Sequence, residues 1–190
     1  MKYQESTVEI GKLRDQIATL RKRMHSVQAQ IEPQAVQDYT FASTGGSVRL
    51  SELFGDKDDL FVIHNMGAGC PYCTMWADGF NGVLDHLENR AAFVVSSPDS
   101  PDAQQKFKAS RGWRFRMVSH QGSTFAIDMG YKGDASWTPG VSVFKRRNGT
   151  ILRVSDAPFA PGDDFCAAWH LFDLIPEGPA DWSPKFRYGK

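Results

Sequence analysis

One stretch decides the fold of this chain: Gly67-Ala68-Gly69-Cys70-Pro71-Tyr72-Cys73-Thr74-Met75-Trp76. Residues 60–64, just before it, are apolar and partly β-branched, which is typical of a buried strand. After the C-x-x-C motif, apolar side chains recur at helical spacing, at Trp76, Phe80, Val83, Leu84 and Leu87. The two cysteines are therefore predicted to stand between a strand and the first turn of a helix.

A pair of cysteines at this position is suited to redox chemistry. The free amides and the dipole at a helix start favour a thiolate, which lowers the pKa of the first cysteine, Cys70. Cys73 lies one turn further on, close enough to attack a mixed disulfide formed at Cys70. Pro71 has no amide hydrogen and stiffens the turn. The motif predicts a redox-active dithiol in which Cys70 is the nucleophile and Cys73 the resolving cysteine.

Other uses of the cysteines stay open. A bare C-x-x-C is also half of a zinc site, and the cysteines of two chains could together ligate an iron–sulfur cluster. The chain has only 3 cysteines, which excludes a four-cysteine site within one chain. A mixed site would need His64 or His86 as a further ligand. Simple packing of the two cysteines is the weakest interpretation, because this arrangement is a costly way to fill a core.

The composition limits the classes of function. At 190 residues the chain is long enough for one domain plus an extension, and 22 basic side chains balance 22 acidic ones. This balance favours neither nucleic acid nor an anionic membrane as the partner. The N-terminus is polar, without a signal-peptide core, and no apolar run reaches membrane-span length. We therefore expect a cytoplasmic protein, where a C-x-x-C is more often catalytic than structural.

The first part of the chain has a helical pattern of its own. Its apolar residues alternate three and four apart, as at the a and d positions of a heptad: Ile10, Leu13, Ile17, Leu20, Met24, Val27 and Ile31. Pro33 ends the pattern, so residues 1–33 are predicted to be a helical arm and residues 34–190 the main domain. The arm either pairs with a second chain, giving a homodimer, or lies along its own domain.

Beyond the dithiol, strand and helix patterns alternate. We predict strands over 91–96 and 112–119, helices over 100–110 and 163–174, a short helical piece near 124–129, and a strand over 137–144 followed by a hairpin turn at Asn148-Gly149 and a return strand over 151–154. This alternation favours an α/β fold in which parallel strands are joined by right-handed crossovers.

Two motifs resemble the thioredoxin superfamily. The Cys70-Pro71-Tyr72-Cys73 turn between strand and helix matches its active-site motif, in the CPYC form common in glutaredoxins. Thr138-Pro139, before a strand and a hairpin, resembles its cis-proline loop. The order of the elements is closer to the peroxiredoxin (AhpC/TSA) and TlpA-like branch than to a minimal thioredoxin. The resemblance implies a thioredoxin-like three-layer sandwich, a mixed central sheet flanked by helices, preceded here by the heptad-patterned helix.

A closer resemblance is to a bacterial thioredoxin-like family known as domain of unknown function 899. It rests on Gly69-Cys70-Pro71-x-Cys73, on the segments 76–80, 112–115 and 139–144, and on the heptad helix in front. It spans nearly the whole chain. It implies a fold and suggests a chemistry without supplying a substrate.

The thioredoxin resemblance also implies a substrate site. In that superfamily the cis-proline packs beside the dithiol, and the backbone of the preceding residue pairs with the substrate. Here this implies a cis Thr138–Pro139 bond, although a trans bond is the ordinary expectation for any X–Pro pair. We add Trp137 and Tyr72 as substrate-binding candidates next to these two motifs.

His64 stands six residues before the first cysteine, where thioredoxins hold a buried carboxylate. A neutral imidazole there could take the proton of Cys73 through a water molecule, as a general base. The other interpretation is a core histidine with a satisfied hydrogen bond.

The peroxiredoxin pattern is incomplete. It needs a Thr or Ser three residues ahead of the reactive cysteine, and this chain has Gly67 there. It also needs an arginine, for which the candidates are Arg111, Arg114 and Arg116.

We therefore expect a thiol–disulfide oxidoreductase that acts on protein or small-thiol disulfides without a cofactor or a metal. The alternatives are a non-catalytic thioredoxin-like protein that binds a partner or a metal, zinc or iron–sulfur, and a thiol peroxidase of the peroxiredoxin type.

Overall fold

The computed structural model describes residues 2–189, and the chain divides into two compact units between Pro33 and Gln34. The first unit contains helix α1 (Tyr3–Gln28). Its start is capped by the Glu5 side chain, which accepts a hydrogen bond from the Lys2 amide at 3.1 Å. The helix ends at Gln28 rather than at Ile31, because the chain turns at residues 29–30.

Strands and helices alternate through much of the second unit. In the described part of the chain, eight strands form one sheet: β1 (Gln34–Ala35), β2 (Thr40–Ser43), β3 (Gly46–Arg49), β4 (Asp59–His64), β5 (Ala92–Ser97), β6 (Arg116–Ser119), β7 (Gly140–Arg147) and β8 (Thr150–Pro158). A 3-10 turn covers Leu50–Phe54. The helices are α2 (Pro71–Gly82), α3 (Leu84–Arg90), α4 (Pro101–Arg111), α5 (Phe125–Asp128) and α6 (Ala167–Phe172).

The sheet is mixed, with the strand order β1-β8-β7-β4-β5-β6-β2-β3. Strand β4 pairs with β5, and β5 with β6, in parallel, whereas the other neighbours are antiparallel. Parallel neighbours need a crossover, which α2 and α3 supply between β4 and β5, and α4 between β5 and β6. The predicted α/β fold with a mixed sheet flanked by helices is confirmed.

Two cores lie on opposite faces of this sheet, because side chains alternate along each strand. Leu60 and Val62 of β4 belong to the core that contains Phe125 of α5. Ile63 belongs to the other core, which contains Trp76 of the dithiol helix and Trp169 of α6. The dithiol helix is therefore held against one face by apolar packing.

Strand β6 begins at Arg116, four residues later than the sequence pattern predicted. Gly112 adopts a left-handed conformation, φ 66°, and ends α4 there. Trp113 and Phe115 then turn into the core instead of alternating along a strand.

Helix α6 is shorter than its apolar pattern predicted. The Asp163 carboxylate accepts hydrogen bonds from the amides of Ala160 and Phe165, at 3.1 and 2.9 Å, and from the indole of Trp76 at 3.2 Å. These bonds fix a loop where the pattern predicted helix, so the helix starts only at Ala167.

The predicted hairpin between β7 and β8 is confirmed. Asn148 and Gly149 both have positive φ, 50° and 77°, as a two-residue primed turn requires. The bounds differ from the prediction: β7 covers Gly140–Arg147 instead of 137–144, and β8 covers Thr150–Pro158 instead of 151–154.

Candidate active site at the start of helix α2

Cys70 is the N-cap residue of α2. Its backbone is extended, φ −104° and ψ 107°, and its sulfur accepts a hydrogen bond from the Cys73 amide at 3.0 Å. Pro71 occupies the first turn, where a missing amide hydrogen costs nothing. The Cys70 carbonyl accepts from the Thr74 amide and hydroxyl at 3.1 and 2.9 Å. The Cys70 sulfur thus caps the helix, as an Asp or Ser side-chain oxygen does at other helix starts.

The two thiols differ in exposure and in acidity. Cys70 is half-buried and Cys73 is buried, and both are free thiols. A hydrogen bond from the Cys73 thiol, with the amides of Cys73 and Tyr72, lowers the pKa of Cys70 to about 7, although its partial burial acts the other way. The same thiol hydrogen bond, and then burial, raise the pKa of Cys73. At neutral pH Cys70 is therefore about half thiolate, beside a protonated Cys73.

The loop that leads into Cys70 is held by polar side chains. Asn65 Oδ1 accepts from the Gly67 amide, and Asp99 Oδ2 accepts from the Ala68 amide, both at 2.8 Å. Asp99 also accepts a hydrogen bond from the Ser97 hydroxyl at 3.2 Å. Gly67 has φ 104°, and a Cβ there would lie 3.0 Å from both Asp99 carboxylate oxygens. No sequence pattern points to Asp99, which follows β5 and meets the loop only because β5 lies beside β4 in the sheet.

His64 is buried on the sheet face that carries α5. Its Nε2 hydrogen-bonds the Ser142 hydroxyl at 2.9 Å, and its ring stacks on Tyr131 with ring centres 3.8 Å apart. Burial holds the pKa of His64 well below its usual range, so the ring is neutral at pH 7. Among the described residues no hydrogen bond joins His64 to either cysteine, and its Nδ1 has no partner. The base role of His64 stays a prediction.

A second buried histidine, His120, was not predicted. Its Nδ1 hydrogen-bonds Ser96 at 2.8 Å, and within the described chain its Nε2 has no partner. Ser96 lies directly beside His64 in the β4–β5 pairing. Burial lowers the pKa of His120 to about 4, and nearby Lys132 acts in the same direction. No sequence pattern links the two histidines. His120 follows β6, and only the order of the strands in the sheet brings it beside Ser96.

The Thr138–Pro139 peptide bond is trans, so the cis bond implied by the thioredoxin resemblance is wrong. Thr138 is exposed, but its amide already donates to the Tyr131 carbonyl at 2.9 Å. The next residue, Gly140, pairs with His64 at the end of β4. A Cβ on Gly140 would lie 2.6 Å from the Ala157 carbonyl oxygen and collide with the Tyr131 ring. The Thr138–Pro139 loop therefore leads to the His64 end of β4, and its peptide bond is trans.

Tyr72 and Trp137 have different neighbours. Tyr72 stacks on Trp169 of α6, with ring centres 6.2 Å apart. Trp137 packs on His120, with ring centres 4.8 Å apart, and the Lys132 ammonium lies over its ring. In the described chain no ring contact joins Tyr72 to Trp137, so their shared role in substrate binding stays a prediction.

The candidate arginines of the peroxiredoxin pattern are not bonded to Cys70. Arg111 pairs with Asp78 of α2, which also accepts from the Trp113 indole at 2.8 Å. Arg114 pairs with Asp85 at 2.7 Å. Arg116 lies in the first position of β6 and is exposed. The groups that shift the pKa of Cys70 are Cys73, Tyr72 and burial.

The side chains near the dithiol do not cluster as metal ligands. Among residues 2–189, no three His, Cys, Asp or Glu side chains lie close enough together to hold a metal ion. Over the same residues, no helix combines the length and the apolar character needed to cross a membrane.

Comparison with solved structures defines the class of the fold. Peroxiredoxin Q from Xanthomonas campestris superposes with a TM-score of 0.54 and 18% identity, over 65% of this chain and 86% of that one. Peroxidoxin BcpB from Mycobacterium tuberculosis gives 0.54 and 23% identity, over 64% and 84%. Reduced Prx3 from Vibrio vulnificus gives 0.55 and 14% identity, over 70% and 89%. The fold is thioredoxin-like, as the sequence resemblance implied.

The chain belongs to the family described as "Bacterial protein of unknown function (DUF899)", whose model matches residues 3–187. This match confirms the family resemblance found in the sequence, from the heptad helix to the C-terminal segment. No curated protein matches the chain.

Proposed function

We propose that this protein is a thiol–disulfide oxidoreductase in which Cys70 is the nucleophile and Cys73 the resolving cysteine. The observation that carries the proposal is the hydrogen bond at 3.0 Å from the Cys73 amide to the Cys70 sulfur at the start of α2. The lowered pKa of Cys70 makes this thiol reactive, and the raised pKa of Cys73 keeps that thiol protonated until the second exchange.

The reaction proceeds in two exchanges. The Cys70 thiolate attacks one sulfur of a substrate disulfide, forms a mixed disulfide, and releases the other sulfur as a thiolate that takes a proton from solvent. Cys73 then loses its proton and attacks the Cys70 sulfur, which releases the second substrate thiol and leaves a Cys70–Cys73 disulfide. Two electrons pass to the substrate, and a thiol reductant restores the dithiol.

The second exchange needs a base, because the pKa of Cys73 is raised. We propose His64 for this step, acting through a water molecule. If the ring hydrogen is on Nε2 and is donated to Ser142, the Nδ1 lone pair is left to accept a proton. Burial keeps the ring neutral, which leaves the Nδ1 lone pair free, and the same burial makes the imidazole a weaker base than a solvent-exposed one. His64→Gln should slow resolution of the mixed disulfide at pH 7 and leave the alkylation of Cys70 unchanged.

Substrate binding is proposed at Thr138, Pro139, Trp137 and Tyr72. Thr138 is exposed beside the strand that pairs with β4, which supports a role in docking the substrate. Pairing through the Thr138 amide would first have to break its bond to Tyr131. Protein disulfides and small-thiol disulfides are the substrates we propose.

Trapping of the mixed disulfide tests the proposal. Cys73→Ser, incubated with oxidised glutathione, should hold one glutathione at Cys70, whereas the native protein should release it and form the Cys70–Cys73 disulfide. Cys166→Ser is the matched control, because Cys166 lies buried in the core beside Trp169, and it should behave as the native protein does. An adduct at Cys73, or no adduct with either glutathione or a peptide disulfide, would contradict the proposal.

Thiol peroxidase activity is a second candidate, supported by the likeness of the fold to three proteins described as peroxiredoxins or a peroxidoxin. In this reaction the Cys70 thiolate attacks a peroxide oxygen, gives a sulfenic acid and an alcohol or water, and then condenses with Cys73 with loss of water. Gly67 and the paired Arg111 and Arg114 weaken this candidate. Peroxide consumption that is absent, or that survives Cys70→Ser, would remove it.

A further inference from the structure

We propose that helix α1 pairs with α1 of a second copy of the chain as a parallel, in-register, two-stranded coiled coil. No residue of α1 is buried. Its heptad side chains are among the most exposed large apolar groups of the molecule, from 46% at Ile10 to 61% at Met24. A helix of 26 residues draws most of its stability in water from packing of an apolar face, which a second chain would supply here.

The residue types at the seam favour two parallel strands. Ile10 and Ile17 occupy a positions, and Leu13 and Leu20 occupy d positions. A β-branched residue at a with leucine at d is the combination that favours a parallel dimer over higher oligomers. Met24 and Val27 continue the seam for a third heptad, with 61% and 58% of their surfaces exposed.

Charges beside the seam favour the parallel orientation. Glu9 precedes the first a position and Arg14 follows the first d position, so they stand at g and e. In a parallel dimer the g residue of one helix faces the e residue of the next heptad on the other helix, which sets Glu9 against Arg14 twice. In an antiparallel dimer e faces e, and both Arg14 and Arg21 stand at e.

The same pattern contains no repulsive pair in the parallel register. The next two g positions are Gln16 and Arg23, and they face Arg21 and Gln28 respectively. Glu9 also pairs with Lys12 of its own helix at 3.1 Å, and a carboxylate has capacity for both partners.

Three heptads make a short coiled coil, so we expect a reversible monomer–dimer equilibrium rather than a permanent dimer.

Sedimentation equilibrium of the full chain tests the dimer. Leu20→Lys places a charge at the centre of the seam and should raise the dimer dissociation constant by about 100-fold or more. Ala18→Lys is the matched control, since position 18 lies at b, away from the seam, and it should leave the constant unchanged. A native protein that stays monomeric at high micromolar concentration, or a dimer that survives Leu20→Lys, would overturn the proposal.

The orientation is tested separately. Glu9→Arg should weaken the dimer by roughly 3- to 10-fold, and Arg14→Glu added to it should restore the native value, because both pairs then attract again. Leu13→Cys, placed in a Cys70→Ser/Cys73→Ser background, should form an inter-chain disulfide under mild oxidation, since d residues of the same number meet only in a parallel, in-register pair. A dimer in which position 13 cross-links only to a cysteine at position 24 would show an antiparallel pair and overturn this arrangement.

Discussion

The backbone amide of Cys73 donates a hydrogen bond across 3.0 Å to the sulfur of Cys70. One sulfur atom therefore caps helix α2 and carries the proposed nucleophilic charge. Because the cap bond is stronger to a thiolate than to a thiol, the start of the helix and the acidity of Cys70 are physically linked. Any change that removes this donor should weaken the cap of α2 and raise the pKa of Cys70.

The pKa of Cys70 is the first quantity to measure. Its alkylation rate should rise with pH and reach half its maximum near pH 7. Cys73→Ala removes the thiol donor and should move this midpoint toward the ordinary thiol value of about 8.5. Cys73→Ser keeps a hydroxyl donor and should shift the midpoint less. Alkylation followed by mass spectrometry separates Cys70 from the other cysteines, and identical midpoints in all three proteins would contradict the structure.

The reduction potential of the dithiol should fall in the range of the glutaredoxins, about −200 to −230 mV. A thiolate stabilised at a helix start favours the reduced form and so raises the reduction potential of the dithiol. Equilibration in glutathione buffers of known potential, with the Cys70–Cys73 disulfide quantified by mass spectrometry, measures this value. A potential below about −300 mV would indicate a structural disulfide instead.

Acid should destabilise the protein through its buried histidines. The pKa of His120 is about 4 in the folded chain and about 6.5 when unfolded, so the unfolded chain binds the proton first as the pH falls. The stability that this histidine contributes is complete above pH 6.5 and is lost between pH 6.5 and pH 4. His64 acts in the same direction, because burial also lowers its pKa.

Urea unfolding at pH 7 and pH 5 tests this linkage. From pH 7 to pH 5, His120 alone should lower the free energy of unfolding by about 2 kcal/mol. His120→Gln retains a hydrogen-bonding side chain for Ser96 but does not titrate, so the loss in this variant should be smaller by about that amount. Equal losses in both proteins would show that His120 is not buried as described.

Gly140 and Gly79 have opposite surroundings, so replacing each by alanine should have opposite effects on stability. Gly140→Ala should destabilise the protein by about 3 kcal/mol or more, because its Cβ would meet the Ala157 carbonyl oxygen and the Tyr131 ring. Gly79→Ala, inside α2 with open space around its Cβ, should stabilise it by about 0.5 to 1 kcal/mol. Thermal and urea unfolding of both variants measures the difference, and a harmless Gly140→Ala would contradict the pairing of β7 against Tyr131.

The dithiol turn and its strand and helix could be predicted because their signals are local. The sequence places Cys70 and Cys73 between an apolar run and a helical pattern within about twenty residues, and the structure places them at the start of α2. Asp99 and His120 could not be found this way. They reach the site through the parallel pairing of β4, β5 and β6, and that order is fixed by packing over the whole sheet.

The proline loop shows the limit of an inference from resemblance. The Thr138-Pro139 motif precedes a strand and a hairpin, as the resemblance to the superfamily implies. The Thr138 amide, however, is bonded to the Tyr131 carbonyl, and Gly140 pairs with His64 at the end of β4. Those contacts involve residues outside the motif, so the motif alone does not predict them.

The two edges of the sheet have a consequence for behaviour at high concentration. One edge strand, β1, is two residues long, and the other, β3, is four residues long and ends at Arg49. Edges this short, one with a charged residue, give a neighbouring molecule little backbone on which to add a strand. The protein should therefore resist fibre-like polymerisation when it is crowded or stored, even though it exposes an apolar stripe on a helix.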